Sequence, residues 1–183
     1  MTVTPKGPER KKRIAREVRS WAQSIAIALC LCLFVTTLIG QPIRVQGSSM
    51  MNSLHDKELM IVTKFEYLFG EPERFDVVIC RYPERGTTSF VKRIVGVPGD
   101  TVAMQGGVLF VNGEPVEERY IACPANYLLN EVTVEAGHYF VLGDNRANSS
   151  DSHLPAVGQL ARGQIIGKVR WVVWPLGVAR AIE

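Results

Sequence analysis

The distribution of charged residues divides the chain near residue 43. Residues 20–43 contain no charged side chain over 24 positions and are rich in Leu, Ile and Ala. A helix needs roughly 20 apolar residues to cross the hydrocarbon core of a bilayer. We therefore predict a transmembrane helix over residues 20–43. A cleavable signal peptide is the alternative, but its apolar core is typically about 7 to 15 residues, so the longer segment favours a retained anchor.

Beyond residue 57 the pattern changes to short apolar or alternating runs. β-Branched and aromatic residues fill these runs and Gly or Pro separates them, which is typical of antiparallel strands. Asn112-Gly113 lies between two such runs and is a strong hairpin signal. The runs occupy residues 58–65, 75–82, 89–97, 101–104, 107–118, 130–137, 138–145 and 164–174. We predict a mainly β fold, in which the N-terminal transmembrane helix is followed by one antiparallel β-rich domain over residues 44–183.

The basic residues are concentrated at the N-terminus. Residues 1–19 hold seven of the 21 Lys and Arg residues and two of the 18 Asp and Glu residues, a formal net charge of +5. The whole chain carries +3, so the remainder carries −2. By the positive-inside rule, the basic tail stays in the cytoplasm and the β domain lies outside the cell membrane. The mildly acidic domain gives no electrostatic reason to expect a nucleic-acid partner.

The cysteine positions do not indicate a cofactor. Cys30 and Cys32 fall inside the predicted span, where packing is their simplest role. Cys80 and Cys123 lie in the β domain and could pair in an oxidising compartment, but the sequence leaves that pairing open. The sequence contains no Cys/His spacing of the kind that binds metals, so we expect neither a metal nor another cofactor.

Two adjacent serines, Ser48 and Ser49, lie in the stretch QGSSMMNSLHDKE at residues 46–58. The stretch is not a Gly-x-Ser-x-Gly elbow, because methionines occupy the positions two residues after each serine. A serine nucleophile here would need a base from elsewhere in the chain.

Several residues are candidates for that base. Residues 89–92 read Ser-Phe-Val-Lys and fit an S-x-x-K pattern, but the run is strand-like, and residues three apart in a strand point to opposite faces. No histidine lies in a recognisable triad context; the three are His55, His138 and His153. Lys92 is the remaining candidate, since apolar burial lowers the pKa of a lysine. A solvated strand lysine is the alternative, and spacing alone does not place Lys92 beside Ser49.

Three segments, taken in order, are specific together. They read GSSMMNSL at residues 47–54, KRIVGVPGD at 92–100 and GDNRANSSDS at 143–152. They resemble the conserved boxes of bacterial type I signal peptidases, G-x-S-M-x-P-T-L, K-R-x-x-G-x-P-G-D and G-D-N-R-x-x-S-x-D-S-R. The resemblance extends from the predicted span to about residue 170. It implies a membrane-bound serine endopeptidase that cleaves signal peptides from preproteins emerging from the export machinery.

The resemblance also assigns roles to individual residues. It places Ser49 at the nucleophile and Lys92 at the general base, with Ser149 hydrogen-bonded to Lys92 and orienting it. The N–H of Ser49 is expected to help bind the oxyanion. Gly47 stands where some relatives carry an additional hydroxyl. The polar scaffold around the dyad would consist of Arg93, Asp144, Arg146 and Asp151.

The chain departs from the family pattern at two places. Asn52-Ser53 replaces Pro-Thr, so the loop after the nucleophile loses a φ restraint and is expected to be less rigid. His153 replaces the arginine that ends the third box. We hypothesise that His153 forms a pH-sensitive ion pair with Asp151, since histidine titrates near pH 6.5.

Other functions remain open. A catalytically silent, anchored module would bind extended peptides by strand addition, but it would need neither Ser49 nor Lys92. A self-cleaving Ser-Lys regulator of related fold would act on cytoplasmic, DNA-bound repressors, which the predicted anchor and acidic domain disfavour. A peptidase dedicated to one substrate stays within the predicted class, and the sequence does not name the preproteins that are cleaved.

Overall fold

The N-terminal part of the chain is one long helix. The computed structural model describes residues 7–36, 40–83, 86 and 88–182. The chain divides into two compact units, Met1–Ile39 and Gly40–Glu183. Helix α1 spans Gly7–Phe34 in the first unit. Its segment Lys12–Phe34 is long and apolar enough to cross a membrane, and none of its most apolar window is buried, unlike the core helix of a soluble protein.

The helix lies closer to the N-terminus than predicted. It begins at Gly7, inside the basic tail, where Lys, Arg and Glu are good helix formers. The predicted helix end at residue 43 is wrong, because strand β1, Gln41–Arg44, pairs antiparallel with strand β2, Leu59–Thr63. The breaker Pro42 lacks the N–H that a helix interior requires and is tolerated in a strand at the edge of a sheet.

The second unit contains twelve strands, one short α-helix and three 3-10 helices within its described residues; the 3-10 helices span Arg146–Asn148, Arg162–Gln164 and Leu176–Val178. After β1 and β2 the α-helix and the strands are α2 Glu66–Phe69, β3 Val77–Arg81, β4 Ser89–Gly96, β5 Thr101–Gln105, β6 Val108–Val111, β7 Glu114–Pro115, β8 Leu129–Thr133, β9 His138–Leu142, β10 Leu160–Ala161, β11 Ile165–Trp174 and β12 Arg180–Ala181. One sheet has the order β1-β2-β11-β3-β4-β9-β10, with β12 beside β11. The other has the order β7-β6-β5-β8. Neighbouring strands are antiparallel, so the predicted fold class is confirmed.

The predicted hairpin at residues 112–113 is present. Asn112 has φ +54° and Gly113 has φ +81°, and the turn joins β6 to β7. Positive φ at both central residues is what the favoured two-residue hairpin turn requires.

Apolar packing connects the serine-containing segment to the larger sheet. Met50 and Leu54 belong to the same buried cluster as Met60 and Val62 of β2. A second buried cluster contains Val78, which lies on β3, the strand that pairs with β4. The hydrophobic core therefore holds both regions that supply the candidate site.

Candidate active site

Ser49 lies in a loop of tight turns between β1 and β2. Met51 N donates to Ser48 O at 3.0 Å, and Leu54 N donates to Met50 O at 2.8 Å. Met50 and Leu54 are buried, whereas Met51 is exposed. The loop therefore turns at Ser49, and the apolar side chains that follow fix it to the core.

The third sequence box supports Ser49 from its carbonyl side. Asn145 N donates to Ser49 O at 3.0 Å, and Asn145 Nδ2 donates to Ser48 O at 3.1 Å. A Cβ added to Gly143 would lie 2.5 Å from Ser49 O and 2.2 Å from Ser149 Oγ. Residue 143 must therefore be glycine for the two segments to approach this closely.

Lys92 reaches Ser49 from strand β4. Its backbone pairs opposite Val78 of β3, and its side chain is buried, with only 2% of the residue exposed. Lys92 Nζ lies 2.7 Å from Ser49 Oγ, within hydrogen-bond distance. The structure thus brings together the two residues that the sequence spacing could not. Ser89 lies on the same strand, so the helical geometry of the S-x-x-K alternative is not formed.

The surroundings of Lys92 favour its neutral form. Burial lowers the pKa of Lys92 below its ordinary value, and the negative charges of Asp151 and Asp144 oppose this shift. A neutral amine has a lone pair that can accept the proton of a nearby hydroxyl. The geometry and the direction of the pKa shift are those that a general base requires.

Arg93 forms a buried ion pair with Asp144. Arg93 Nε lies 3.0 Å from Asp144 Oδ1 and Arg93 Nη2 lies 2.9 Å from Asp144 Oδ2, and the two side chains are 1% and 0% exposed. Ser53 Oγ donates to Asp144 Oδ2, and Arg93 Nη2 donates to Ser53 Oγ at 3.2 Å. Ser53 therefore connects the serine loop to both partners of the ion pair.

Asp151 is buried behind Gly143 and contacts His153. Gly143 N donates to Asp151 Oδ2 at 2.8 Å. His153 Nδ1 lies 2.6 Å from Asp151 Oδ1, and the imidazole stacks on the ring of Tyr127 at a centroid distance of 4.0 Å. The hypothesised contact between His153 and Asp151 is thus formed, and its pH sensitivity stays a prediction.

Ser149 differs from its predicted role. Its Oγ is buried and makes no hydrogen bond with any residue that the structure describes, so the predicted bond to Lys92 is not formed. The hydroxyl instead lies against Gly143, because residues 143 and 149 approach closely across the turn. Lys92 Nζ contacts Ser49 Oγ directly without it.

The serine loop contains a different restraint from the one in the family pattern. Asn52 has φ +89°, a left-handed conformation that asparagine tolerates and proline cannot adopt. Asn52 Nδ2 donates to Tyr120 O at 3.1 Å. The expected loss of rigidity is therefore offset by a side-chain contact. Gly47, with φ +91°, supplies no hydroxyl, and its N–H donates to Asp56 Oδ1.

Two residues near the site, Glu118 and Tyr120, were missed by the sequence analysis. Arg146 is buried and is paired with Glu118, and Tyr120 OH donates to Glu118 Oε1 at 2.6 Å. Burial alone would lower the pKa of Arg146, but the hydrogen bonds and charge of Glu118 raise it. A buried arginine needs an acidic partner, but nothing in the sequence distinguishes Glu118 from the other acidic residues.

The other candidates lie outside this arrangement. The imidazoles of His55 and His138 are near Glu58 and Glu135, and no described histidine hydrogen-bonds Ser49. Cys80 and Cys123 are free thiols, which answers the question of their pairing. Among the described residues no group of His, Cys, Asp and Glu side chains could hold a metal ion.

A cavity of about 280 Å³ opens beside Ser49. Its walls come from β1, from β4 and from core residues that pack against the serine loop. Most of the lining side chains are apolar and include Ile43, Val45, Met60, Ile79, Phe90 and Val91. The cavity is adjacent to the hydroxyl that contacts Lys92. It can accept a small apolar group next to the reacting atoms.

Comparison with known proteins identifies the family of the chain. The model of the family described as signal peptidase, peptidase S26, matches residues 18–174. The chain is 37% identical over 184 residues to signal peptidase I of Bacillus amyloliquefaciens, covering 93% of each chain. It is 37% identical over 170 residues to signal peptidase I T of Bacillus subtilis strain 168, covering 87% of each. A solved signal peptidase I from Enterococcus faecalis V583 is 31% identical, with a TM-score of 0.46, and the match covers 54% of this chain and 97% of that one.

The chain therefore belongs to the signal peptidase family, peptidase S26. The class of serine peptidase predicted from the three sequence boxes is confirmed. The roles of the individual site residues rest on the geometry described above.

Proposed function

We propose that Ser49 and Lys92 form the catalytic dyad of a signal peptidase I that cleaves signal peptides from exported preproteins. The supporting observation is the 2.7 Å distance between Lys92 Nζ and Ser49 Oγ, with the lysine side chain buried. Acyl transfer by a serine requires a base within hydrogen-bond reach of its hydroxyl. Lys92 meets this requirement without a histidine.

The acylation step follows from this contact. Neutral Lys92 takes the proton from Ser49 Oγ while the oxygen attacks the carbonyl carbon of the scissile peptide bond. The carbonyl oxygen becomes an oxyanion, and the N–H of Ser49 donates to it. When the carbon–nitrogen bond breaks, Lys92 returns the proton to the leaving amine, which becomes the N-terminus of the mature protein. The signal peptide stays attached to Ser49 as an ester.

Deacylation uses the same two groups. Lys92 is neutral again, and it takes a proton from a water molecule that attacks the ester carbonyl. Collapse of the second tetrahedral intermediate breaks the bond to Ser49 Oγ, which recovers a proton from Lys92. The products are a signal peptide with a free carboxylate and the starting form of the enzyme.

The cavity beside Ser49 supports a preference for small apolar residues before the cleavage point. The cavity is adjacent to the reacting hydroxyl, and its lining is mainly apolar and includes Val45 and Met60. We extend to this chain the family preference for small residues at positions −3 and −1 of the substrate. Burial of a small apolar side chain there would orient the scissile carbonyl towards Ser49.

The helix Gly7–Phe34 supports a membrane-anchored enzyme. Its basic first turns and apolar remainder fit a single span with the N-terminus in the cytoplasm and the catalytic domain outside. The first strand, β1, begins at Gln41, so the chain between helix and domain is short. A catalytic domain held near the outer face would meet substrates whose own apolar segment is still in the bilayer.

The test uses the full chain in detergent and a preprotein with an Ala-x-Ala cleavage site. We expect the parent to cleave the preprotein and both Ser49→Ala and Lys92→Ala to lose at least about 100-fold in kcat, since a positioned base contributes about 10²- to 10⁴-fold. Ser48→Ala is the matched control, because it removes the neighbouring hydroxyl and leaves the backbone in place. It should retain activity within about threefold.

The outcomes separate the competing functions. A parent that cleaves none of several preproteins would favour the silent binding module or a peptidase dedicated to another substrate. Activity that survives in Lys92→Ala would mean that another group is the base. Loss in Ser48→Ala with retention in Ser49→Ala would mean that the neighbouring serine is the nucleophile.

A further inference from the structure

The connection between β7 and β8 reaches the site through one short stretch. We call residues 118–122, with sequence Glu-Arg-Tyr-Ile-Ala, the bridging segment. It belongs to the part of the chain that links two strands of the smaller sheet. Ala122 N donates to Asp144 O at 3.0 Å, which attaches the segment to the third sequence box.

Both buried arginines of the site contact the bridging segment. The side chains of Arg146 and Glu118 form a bidentate ion pair and are 0% and 4% exposed. The guanidinium carbon of Arg93 lies 3.8 Å from the centroid of the Tyr120 ring. Tyr120 OH donates to Glu118 Oε1, so the two contacts are joined. Glu118 of the segment therefore pairs with Arg146, and the ring of Tyr120 packs against the guanidinium of Arg93.

The same segment also holds the serine loop. Asn52 Nδ2 donates to Tyr120 O at 3.1 Å and lies 3.4 Å from Ile121 O. Arg93 in turn binds Ser53 Oγ and Asp144. Two residues that follow Ser49, Asn52 and Ser53, are thus restrained by the bridging segment or by Arg93, which contacts it.

We propose that Glu118 and Tyr120 are positioning residues that set the distance between Ser49 Oγ and Lys92 Nζ. Glu118 fixes Arg146, which donates to Gly143 O directly behind Ser49. Tyr120 fixes Arg93, the residue after Lys92, and its carbonyl receives the amide of Asn52. Neither residue lines the cavity beside Ser49, so they act on the dyad rather than on substrate binding. The inference rests on the proposed function of Ser49 and Lys92.

The positions of the charges explain why a neutral replacement should matter. A buried arginine whose acidic partner is removed keeps its charge and must find another acceptor. Arg146 Nε already donates to Gly143 O, and a stronger pull on this carbonyl would shift the backbone that contacts Ser49. A displacement of about 1 Å between reacting groups can cost about 100-fold in rate.

The test measures kcat and KM separately for Glu118→Gln, with Glu117→Gln as the matched control. Glu117 is the adjacent acid, but its side chain is exposed and pairs with exposed Arg119. We expect Glu118→Gln to lower kcat by about tenfold or more while KM stays within about twofold, because positioning is lost and the substrate cavity is not. Glu117→Gln should match the parent in both constants.

Tyr120 supplies a second, independent pair of variants. Tyr120→Phe keeps the ring over Arg93 and should keep kcat within about threefold, whereas Tyr120→Leu removes the ring and should lower kcat by about tenfold. Rescue by the aromatic replacement distinguishes support of Arg93 from general packing. All activities are compared at a temperature where circular dichroism shows each variant to be folded.

Two results would overturn the inference. One is parental kcat in folded Glu118→Gln and Tyr120→Leu. The other is a loss of activity that only follows the loss of folded protein, which would mean a structural role. The proposed function fails differently, since it fails when Ser49→Ala, assayed alongside, cleaves as well as the parent.

Discussion

The nucleophile and the base are held in place in different ways. Lys92 lies within β4 opposite Val78 of β3, and the next residue, Arg93, pairs with Leu142 of β9. Ser49 lies in a loop, and segments distant in sequence hold that loop through individual polar contacts. Asn145 binds Ser49 O, and Arg180 Nη2 donates to Ser53 O at 2.6 Å. The base is thus positioned by a sheet, whereas the nucleophile is positioned by separate hydrogen bonds together with the burial of Met50 and Leu54.

This difference predicts two kinds of sensitivity. A single hydrogen bond contributes about 0.5 to 1.5 kcal/mol to stability, so the loop can lose one contact and still fold. Its catalytic geometry can change without unfolding. Strand β4 is held by the backbone pairing of two neighbouring strands, so substitutions near Lys92 should change its pKa more than its position. Substitutions in the loop should therefore change kcat more than substitutions beside the strand.

Gly143→Ala should have the largest effect, because it changes the place where the third box touches the serine loop. The new methyl group would lie 2.5 Å from Ser49 O. We expect kcat to fall by about 100-fold and the free energy of unfolding to fall by about 1 to 3 kcal/mol. Both quantities come from a cleavage assay and denaturant unfolding.

Gly167→Ala is the control for this prediction. A Cβ at residue 167 would lie 2.5 Å from Thr63 O, a clash of the same size between β11 and β2. It should destabilise the protein while the folded fraction keeps parental kcat. Equal losses of kcat in both variants would contradict the claim that the Gly143 contact sets the geometry of Ser49.

Asn52→Pro should have an intermediate effect, although it restores the family pattern. Proline fixes φ near −65°, whereas residue 52 has φ +89°, and the amide contact with Tyr120 O is also lost. We expect kcat to fall about tenfold, as the loop must change conformation. Asn52→Gly permits the same φ and should lose less. A proline variant as active as the parent would show that the loop is not restrained in this way.

His153→Arg should have the smallest effect and should act on the base. Asp151 raises the pKa of Lys92, and a permanent cation at residue 153 would cancel more of this charge at neutral pH. The pKa of Lys92 would then fall further. We expect the acidic limb of the rate profile to move to lower pH by about half a unit or less. An unchanged profile below neutrality would contradict the His153 hypothesis.

The strand that carries Lys92 was predictable from sequence, whereas the burial of the lysine was left open. The run of β-branched residues around Lys92 predicts a strand, and such a strand can bury a lysine in apolar surroundings. The turn at Asn112-Gly113 was equally clear, because the dipeptide itself favours positive φ. These features depend on neighbours in sequence.

The nucleophile side was less predictable because its contacts are long-range. Ser49 and Lys92 are separated by 43 positions, and their proximity depends on how the loop packs on the sheet. The contacts of Asn52 and Arg146 with the bridging segment were missed for the same reason. The predicted bond between Ser149 and Lys92 failed because family resemblance gives residue identities but not side-chain directions.

Burial favours the neutral form of Lys92, which can then activate Ser49. The direct measurement is an NMR titration of the full chain in detergent with ¹³C at the lysine ε-carbons, using Lys92→Met to assign the signal. We expect Lys92 to titrate below the ordinary lysine pKa of about 10.4, with the same midpoint as the acidic limb of kcat/KM. Activity should fall as pH decreases through that midpoint, because protonated Lys92 cannot accept a proton. A Lys92 signal that titrates at the ordinary lysine pKa would show that Lys92 is not held neutral and is not the base that activates Ser49.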